Sequence, residues 1–316
     1  MDELQKIRSK DQLKKDPKTS IVVVHWEQEA LTSDCLSSLK KIPRTDLEII
    51  LVDNGSRDGS GQRLADTFPH VVFIGTEENN GYAAGVNEGI RVSLQRGADY
   101  IFIMNNDTIV DPGIVNCFLG FMEDPESSGV GICVPKIYYH DRPGIIWYAG
   151  GECDPTNGLC RHWNIGSKDE HIHEEPAEIT FANGCSMFIK REVIERVGYF
   201  DEHYFHTGED ADYSIRTMRA GYRLIYIPKA RLWHRARAST KGSGGGKNYI
   251  YYEYRNRMIL WSRHFRKKGF RPKIKLAKFY LRSTLSEMKK GNYEASLAIM
   301  VGLIDGLRGV VGKRVA

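Results

Sequence analysis

Three short segments hold side chains able to do chemistry. IFIMNNDTIV (101–110) is apolar, delivers Asn105, Asn106 and Asp107, then turns apolar again. Asn and Asp end strands readily, because their side chains bond nearby backbone and tolerate turn geometry. A strand that instead carries Asp107 to a pocket rim would bring a hard carboxylate to where a divalent cation and a phosphate can meet. GEDAD (208–212) holds the second set, with Glu209 and Asp210 opening a helical pattern. First-turn acids complement the positive end of the helix dipole. The same field helps keep Asp210 ionised, and an ionised carboxylate can take a proton from a hydroxyl. Asp212 and Arg216, one helical turn apart, read as an ion pair. The third candidate, His234, closes the run ARLWH; one His on an apolar strand is either structural or a ligand. His171 and His173 sit in a polar stretch and read as solvated.

Positioning such groups requires a scaffold. SIVVVHW (20–26), LEIILVD (47–53), VVFIG (71–75) and DYIFIMN (99–105) are the short, β-branched runs that a doubly covered parallel strand needs. Helical patterns separate them: Leu31, Cys35, Leu36 and Leu39; a start at Asp58 after DNGSRDGS; AAGVNEGIRVSLQ; and a helix from Asp111 and Pro112. Alternating strand and helix predicts an α/β domain with a largely parallel sheet, whose ligands lie beyond the carboxyl ends of the strands. His25, Asp53, Asn54 and the 105–107 triplet fall at those ends. From residue 130 the strands shorten (GVGICVP, GIIWYAGG, EITFANG) and long polar connections intervene, suggesting a second half with some antiparallel pairing. KREVIERVG and EDADYSIRTMRAG read as helices, RLIYIP and ARLWH as two strands, and KGSGGGK (241–247) as a flexible hinge.

Composition sets outer bounds. A 316-residue chain with 41% hydrophobic residues can build a substantial core, as one large domain with an appendage or as two domains. Charge is unevenly spread: residues 247–316 carry a net +13 and the first 246 a net −8. The basic end, with aromatics interleaved through YYEYRNRMILWSRHFRKKGFRPKIKLAKFY, suits an anionic surface, either a membrane or a nucleic acid. Six scattered cysteines without a CxxC pair read as reduced thiols, hence an intracellular protein. The first 19 residues lack an apolar signal segment, and SLAIMVGLIDGL is interrupted by Asp305 and too short to span a bilayer, so a peripheral position is expected.

Familiar nucleotide loops are missing. No GxGxxG follows the first strand, and KGSGGGKN fails the P-loop pattern at Lys241 and Asn248. The ordered set SIVVVHW, LVDNGSRDGS, NNGYAAGVNEGI, IFIMNNDTIVDPG, the long block from FANGCSMF through HTGEDADYSIRT to ARLWHRARAST, and YYEYRNRMI instead resembles glycosyltransferase family 2, in its rhamnosyltransferase-like branch. The resemblance spans roughly residues 19–260.

It implies a GT-A fold: a Rossmann-like, mostly parallel central sheet with a smaller mixed sheet, followed by C-terminal amphipathic helices. Residues 1–246 would form the catalytic domain, with a nucleotide-binding half at about 19–128 and an acceptor-binding half at about 129–246, and 247–316 a basic helical region. The implied reaction is inverting transfer from a dTDP- or UDP-linked sugar to a saccharide or lipid-linked acceptor, with Mn2+ or Mg2+. Asp107 takes the place of the last carboxylate of the DxD-type motif and, with His234, would ligate the cation. Asn105 departs from an acidic first position and is left a sugar or supporting contact, beside Asn106. Asp210 would be the base and Glu209 would orient the acceptor; His25, Glu27, Asp53, Gly55, Asn80, Gly81 and Asn87 would bind the nucleotide. Trp26 would line the base pocket or belong to the core. The branch favours a cytoplasmic enzyme peripheral to the membrane over a nucleic-acid binder. Two rivals stand beside this reading. Nucleotidyl transfer needs a Gly-rich basic triphosphate loop that HWEQEA does not offer, and a non-enzymatic membrane or nucleic-acid binder would use the basic end alone.

Overall fold

The computed structural model describes residues 17–154, 158–236, 246–266 and 270–314. KGSGGGK thus lies largely outside the described residues. Strand β1 (Thr19–His25) is buried along its whole length, as a central strand covered on both faces must be. The chain continues through α1 (Glu29–Leu39), β2 (Leu47–Asp53), α2 (Ser60–Thr67), β3 (Val72–Gly75), α3 (Tyr82–Gln95), β4 (Tyr100–Asn105), β5 (Thr108–Val110) and α4 (Ile114–Met122). Strands β1, β2, β3 and β4 pair in parallel, with His25 opposite Asp53 and Val24 opposite Asn105. That register brings the three polar strand ends to one edge.

The second half adds β6 (Val130–Tyr139), β7 (Arg142–Tyr148), β8 (Gly151–Cys153), β9 (Cys160–His162), β10 (Ala177–Ile179), β11 (Ser186–Lys190), α5 (Arg191–Val197), α6 (Glu209–Arg219) and β12 (Arg223–His234). One mixed sheet results, in the order β10-β12-β6-β11-β4-β1-β2-β3, with β5 on β12 and β7 on β6. Strand β11 runs antiparallel to both β4 and β6, and so joins the halves. RLIYIP and ARLWH form one strand rather than two: Pro228 falls where the β12–β6 register shifts between Ile227 and Arg231. Proline withholds a ladder donor and is accommodated at such an irregularity. The continuous strand carries His234 to β5, opposite Thr108.

Two cysteines depart from the reduced-thiol expectation. The β8–β9 ribbon sets Cys153 opposite Cys160, and the two form a disulfide; the pairing is made by a hairpin that no CxxC spacing announces. Cys35, Cys133 and Cys185 are free and buried, and Cys117 is free and half-buried. With one bridge present, the thiol argument for an intracellular protein loses its support.

Three helices close the described chain: α7 (Gly246–His264), α8 (Phe270–Lys289) and α9 (Tyr293–Arg308). Met258, Ile259, Leu260, Trp261, Leu276, Tyr280 and Ile299 belong to the same apolar core as the sheet. Arg255 is fully buried, its guanidinium 4.8 Å from the Tyr252 ring centroid. Its Nε donates to Asn256 Oδ1 at 2.9 Å and its Nη1 to Gly312 O at 2.7 Å. The stretch YYEYRNRM is therefore largely interior, which corrects its reading as an exposed aromatic and basic face. Charge that meets water is concentrated further on, along α8.

Candidate active site

Asp107 stands in the turn between β4 and β5, 2% exposed, and neither carboxylate oxygen has a hydrogen-bond partner. Its Oδ1 lies 3.1 Å from His234 Nε2, delivered by the end of β12. Adjacent ligands on an octahedral cation with bonds of about 2.1 Å are separated by roughly 3 Å. An orphaned buried carboxylate beside an imidazole at that spacing fits a hard divalent ion. Among the described residues no group of three His, Cys, Asp or Glu converges on one point. Two side chains, one carboxylate and one imidazole, thus stand at ligand spacing; a Mg2+ site of this kind would draw its remaining positions from phosphate and water oxygens. The Trp147 ring meets that of His234 edge-on at 4.5 Å and that of His162 at 4.7 Å. Burial drives the His162 pKa down to about 4, so its ring stays neutral beside His234.

The acid pair opens α6. Glu209 is 5% exposed and its Oε2 has no partner. Burial first, then the charge of Asp210, pushes its pKa well above the ordinary carboxylate range. Asp210 is half-buried; its Oδ2 accepts from Gly184 N–H at 3.0 Å and its Oδ1 from Ala211 N–H at 2.8 Å. Those donors favour the anion, as the helix-start argument anticipates, but burial outweighs them and the net shift is upward. Asp212 pairs with Arg216 at 2.7 Å, and also with His264 of α7 at 2.7 Å.

The Asp107–His234 pair and the acid pair are linked through the turn before β11. Gly184 N–H holds Asp210, while Cys185 O accepts from Asn105 N–H at 3.0 Å. Tyr82, the first residue of α3, donates its hydroxyl to Gly184 O at 2.9 Å. Burial, followed by nearby charges that include Glu209, Asp210 and Asp107, raises its phenol pKa. Cys185 likewise senses both Asp107 and Asp210. Neither Tyr82 nor the Asn183–Cys185 turn was singled out from sequence, although both lie inside quoted motifs. Their signal is a contact across about a hundred residues, which spacing cannot display.

The nucleotide candidates divide into two groups. His25 is fully buried with both ring nitrogens engaged, Nδ1 with Thr32 Oγ1 at 2.7 Å and Nε2 with Ser60 Oγ at 2.8 Å. Asn106 donates to the same Thr32 oxygen at 2.8 Å, and Ser60 donates to Asp58 at 2.5 Å. The chain Asn106, Thr32, His25, Ser60, Asp58 fixes a neutral His25 with its proton on Nε2, a state that burial also favours. Ring nitrogens so occupied brace the β1 end and leave none for a nucleotide. Gly55 and Gly81 are glycines for the sake of the chain itself: both have positive φ, and an added Cβ would stand 2.3 Å from Glu78 C and 2.4 Å from Phe205 O. Asn87 is turned inward, donating to Phe200 O and Glu202 Oε1 and accepting from Phe200 N–H at 3.0 Å. Among the described residues, the side chains of Glu27, Asn80 and Asn105 have no hydrogen-bond or ion-pair partner. Asp53 spends one oxygen on Ser56 N–H at 3.1 Å, and Trp26 is half-buried.

Asn87 supplies a direct test of this division. Asn87→Ala leaves Phe200 N–H and O without their partner and should destabilise the fold by about 2 kcal/mol. Urea unfolding is expected to show that loss, while donor-nucleotide affinity measured by calorimetry stays at the wild-type value.

Comparison with known proteins bears on the whole arrangement. Residues 20–198 match the family described as Glycosyl transferase family 2. The N-acetylglucosaminyl-diphospho-decaprenol L-rhamnosyltransferase of Mycobacterium tuberculosis is 25% identical over 231 residues, covering 65% of this chain and 72% of that protein. The dTDP-rhamnosyl transferase RfbF of Shigella flexneri is 23% identical over 307 residues, 92% of this chain and 96% of the relative. Among solved structures, GalNAc-T7 with UDP, GalNAc and Mn2+ superposes with a TM-score of 0.63 at 14% identity, over 93% of this chain and 56% of that one. The mannosyltransferase PcManGT of Pyrobaculum calidifontis, in complex with GDP-Man and Mn2+, gives 0.57 at 15% identity over 92% and 87%. The likeness shows the fold, the GT-A arrangement expected from the sequence.

Proposed function

The chain belongs to glycosyl transferase family 2 and is a glycosyltransferase; from that premise we propose that it is a cation-dependent, inverting enzyme. It moves a sugar, rhamnose first among the candidates, from a nucleoside diphosphate to a hydroxyl of a saccharide or lipid-linked acceptor during polysaccharide synthesis. The rhamnosyltransferase relatives support the donor sugar, the dTDP of the Shigella relative its nucleotide, and the decaprenol-linked substrate of the Mycobacterium relative the lipid. The observation that carries the reading is Asp107 beside His234 at one sheet edge, tied to Asp210 by the turn before β11, where Gly184 N–H donates to Asp210 and Cys185 O accepts from Asn105 N–H.

Asp107 and His234 would hold the cation, which when bound neutralises the charge that develops on a departing diphosphate. The rest falls to the protein's own groups. Asp210, fixed by the N–H groups of Gly184 and Ala211, takes the proton of the acceptor hydroxyl. Glu209, held neutral by burial beside it, retains a proton with which to hydrogen-bond the acceptor. Attack from the Asp210 side, opposite the diphosphate, inverts the anomeric centre. Glu27, Asp53, Asn80 and Asn105 are the candidates for donor contacts in the 19–128 half, and the acceptor occupies the 129–246 half. Transfer takes place at the cytoplasmic face of a membrane; no described helix is long and apolar enough to cross one.

Incubation with dTDP-rhamnose, Mn2+ and a lipid-linked or saccharide acceptor should release nucleoside diphosphate and give a product of inverted anomeric configuration by NMR. Release of inorganic pyrophosphate from dTTP and rhamnose 1-phosphate, with no transfer from dTDP-rhamnose, would instead establish the nucleotidyltransferase rival.

A further inference from the structure

The last two helices carry an apolar surface that no other described residue covers. Leu281, Leu285 and Met288 of α8 and Leu297, Ile304 and Leu307 of α9 are exposed, Leu281 by 60% and Leu307 by 65%. Ser296 Oγ of α9 donates to Thr284 O of α8, and this bond marks the seam between the helices. At about 100° per residue, the three α8 side chains lie just past Thr284 on the side away from the core. The three α9 side chains stand in the same relation to Ser296. The two stripes therefore adjoin across the seam as one continuous outward face. Next around α8 come Lys278, Arg282 and Lys289, all exposed and, among the described residues, unpaired with any carboxylate.

We propose that this α8–α9 face is a membrane-docking surface that lies in the plane of an anionic bilayer. The apolar stripe enters the acyl boundary while Lys278, Arg282 and Lys289 meet lipid headgroup phosphates, the division of labour seen in interfacial helices. Charge decides the occupant. A second copy of the chain would bring an identical cationic edge to the contact and leave these cations without counter-charge, whereas acidic headgroups supply it. Docking adds an anchor that the catalytic half does not need for chemistry. Its catalytic consequence, a high local concentration of acceptor, rests on the proposed lipid-linked substrate; the docking itself does not.

Sedimentation of the full chain with vesicles, with no donor present, separates the two ideas. Wild type should bind phosphatidylcholine vesicles containing phosphatidylglycerol and bind pure phosphatidylcholine far more weakly. Each cation near an acidic surface changes partition by roughly fivefold. The triple change Lys278→Glu, Arg282→Glu, Lys289→Glu should thus weaken binding by about 100-fold or more. Leu281→Ser with Leu297→Ser should release the protein from acidic vesicles while the melting temperature falls by only a few degrees, because the side chains lost are mostly exposed and the cost is mainly helix propensity. Equal binding to both vesicle types overturns the proposal. So does a wild-type dimer in light scattering that the two serine substitutions convert to monomer without altering vesicle binding, which would assign the face to a second copy.

Discussion

Asp210→Asn is expected to lower kcat by about 10²–10⁴-fold, the range that a positioned general base contributes. Donor affinity should stay unchanged, because Asp210 lies on α6 and not on the strand ends assigned to the nucleotide. The substitution has a structural side. Asp210 accepts from both Gly184 and Ala211 N–H, and an Asn side chain can accept only with its single oxygen. One of those N–H groups loses its partner, at a cost of about 1–3 kcal/mol. Circular-dichroism melting must accompany the kinetics, and a folded Asp210→Asn variant with wild-type turnover would refute the base assignment. pH provides a second readout. Burial raises both carboxyl groups, so the acidic limb of kcat/KM should lie above the ordinary carboxylate range and report the two as a coupled pair. The stability linkage has the opposite sign to that of a salt-bridged acid. A carboxyl whose folded pKa is raised binds more protons folded than unfolded, and so weakens the fold as pH climbs through that window. Glu209→Gln should accordingly raise the melting temperature at neutral pH. That gain should vanish as pH falls to the ordinary carboxylate range.

The strand ends were legible because the parallel register follows from apolar runs that alternate with helices, and a carboxyl-edge site follows from the register. The positions of Asp107 and Asp210, at a strand end and at a helix start, were readable for the same reason, since each stands at the boundary of a strongly patterned element. The inward turn of His25 and Asn87 was not. A polar residue at a strand end or a helix start looks the same in sequence whether it turns to a ligand or to its own chain. The deciding partners, Ser60 for His25 and Phe200 for Asn87, lie 35 and 113 residues away. Arg255 misled by its charge: the rings of Tyr251 and Tyr252, the Asn256 side-chain oxygen and the carbonyl of Gly312, supplied by the fold, make its burial tolerable. Tyr82 is the converse case. It is an ordinary aromatic at a helix start, and its importance arises from the β11 turn and α6 arriving beside it.

The buried Asp107 carboxylate presents an energetic question whose answer is testable. An ionised carboxylate taken from water without hydrogen bonds costs several kcal/mol, and one nearby imidazole does not offset that. A cation shared by Asp107 and His234 would. Mn2+ or Mg2+ should therefore raise the wild-type melting temperature, with about 2.7 kcal/mol of added stability at a hundredfold excess over Kd. Asp107→Asn should abolish that response. In chelator, the same variant should melt near wild type, because a neutral amide of the same shape takes the place of a buried carboxyl group that has no hydrogen-bond partner. Catalysis should move the other way: loss of several kcal/mol of charge stabilisation corresponds to a fall of about 10²–10⁴-fold in kcat. Calorimetric scans with and without Mn2+, paired with transfer assays in excess chelator, measure both effects on one preparation. A wild-type protein whose melting ignores both cations, and whose transfer survives the chelator, would leave Asp107 and His234 as structural neighbours and require that Asp210 act without metal assistance.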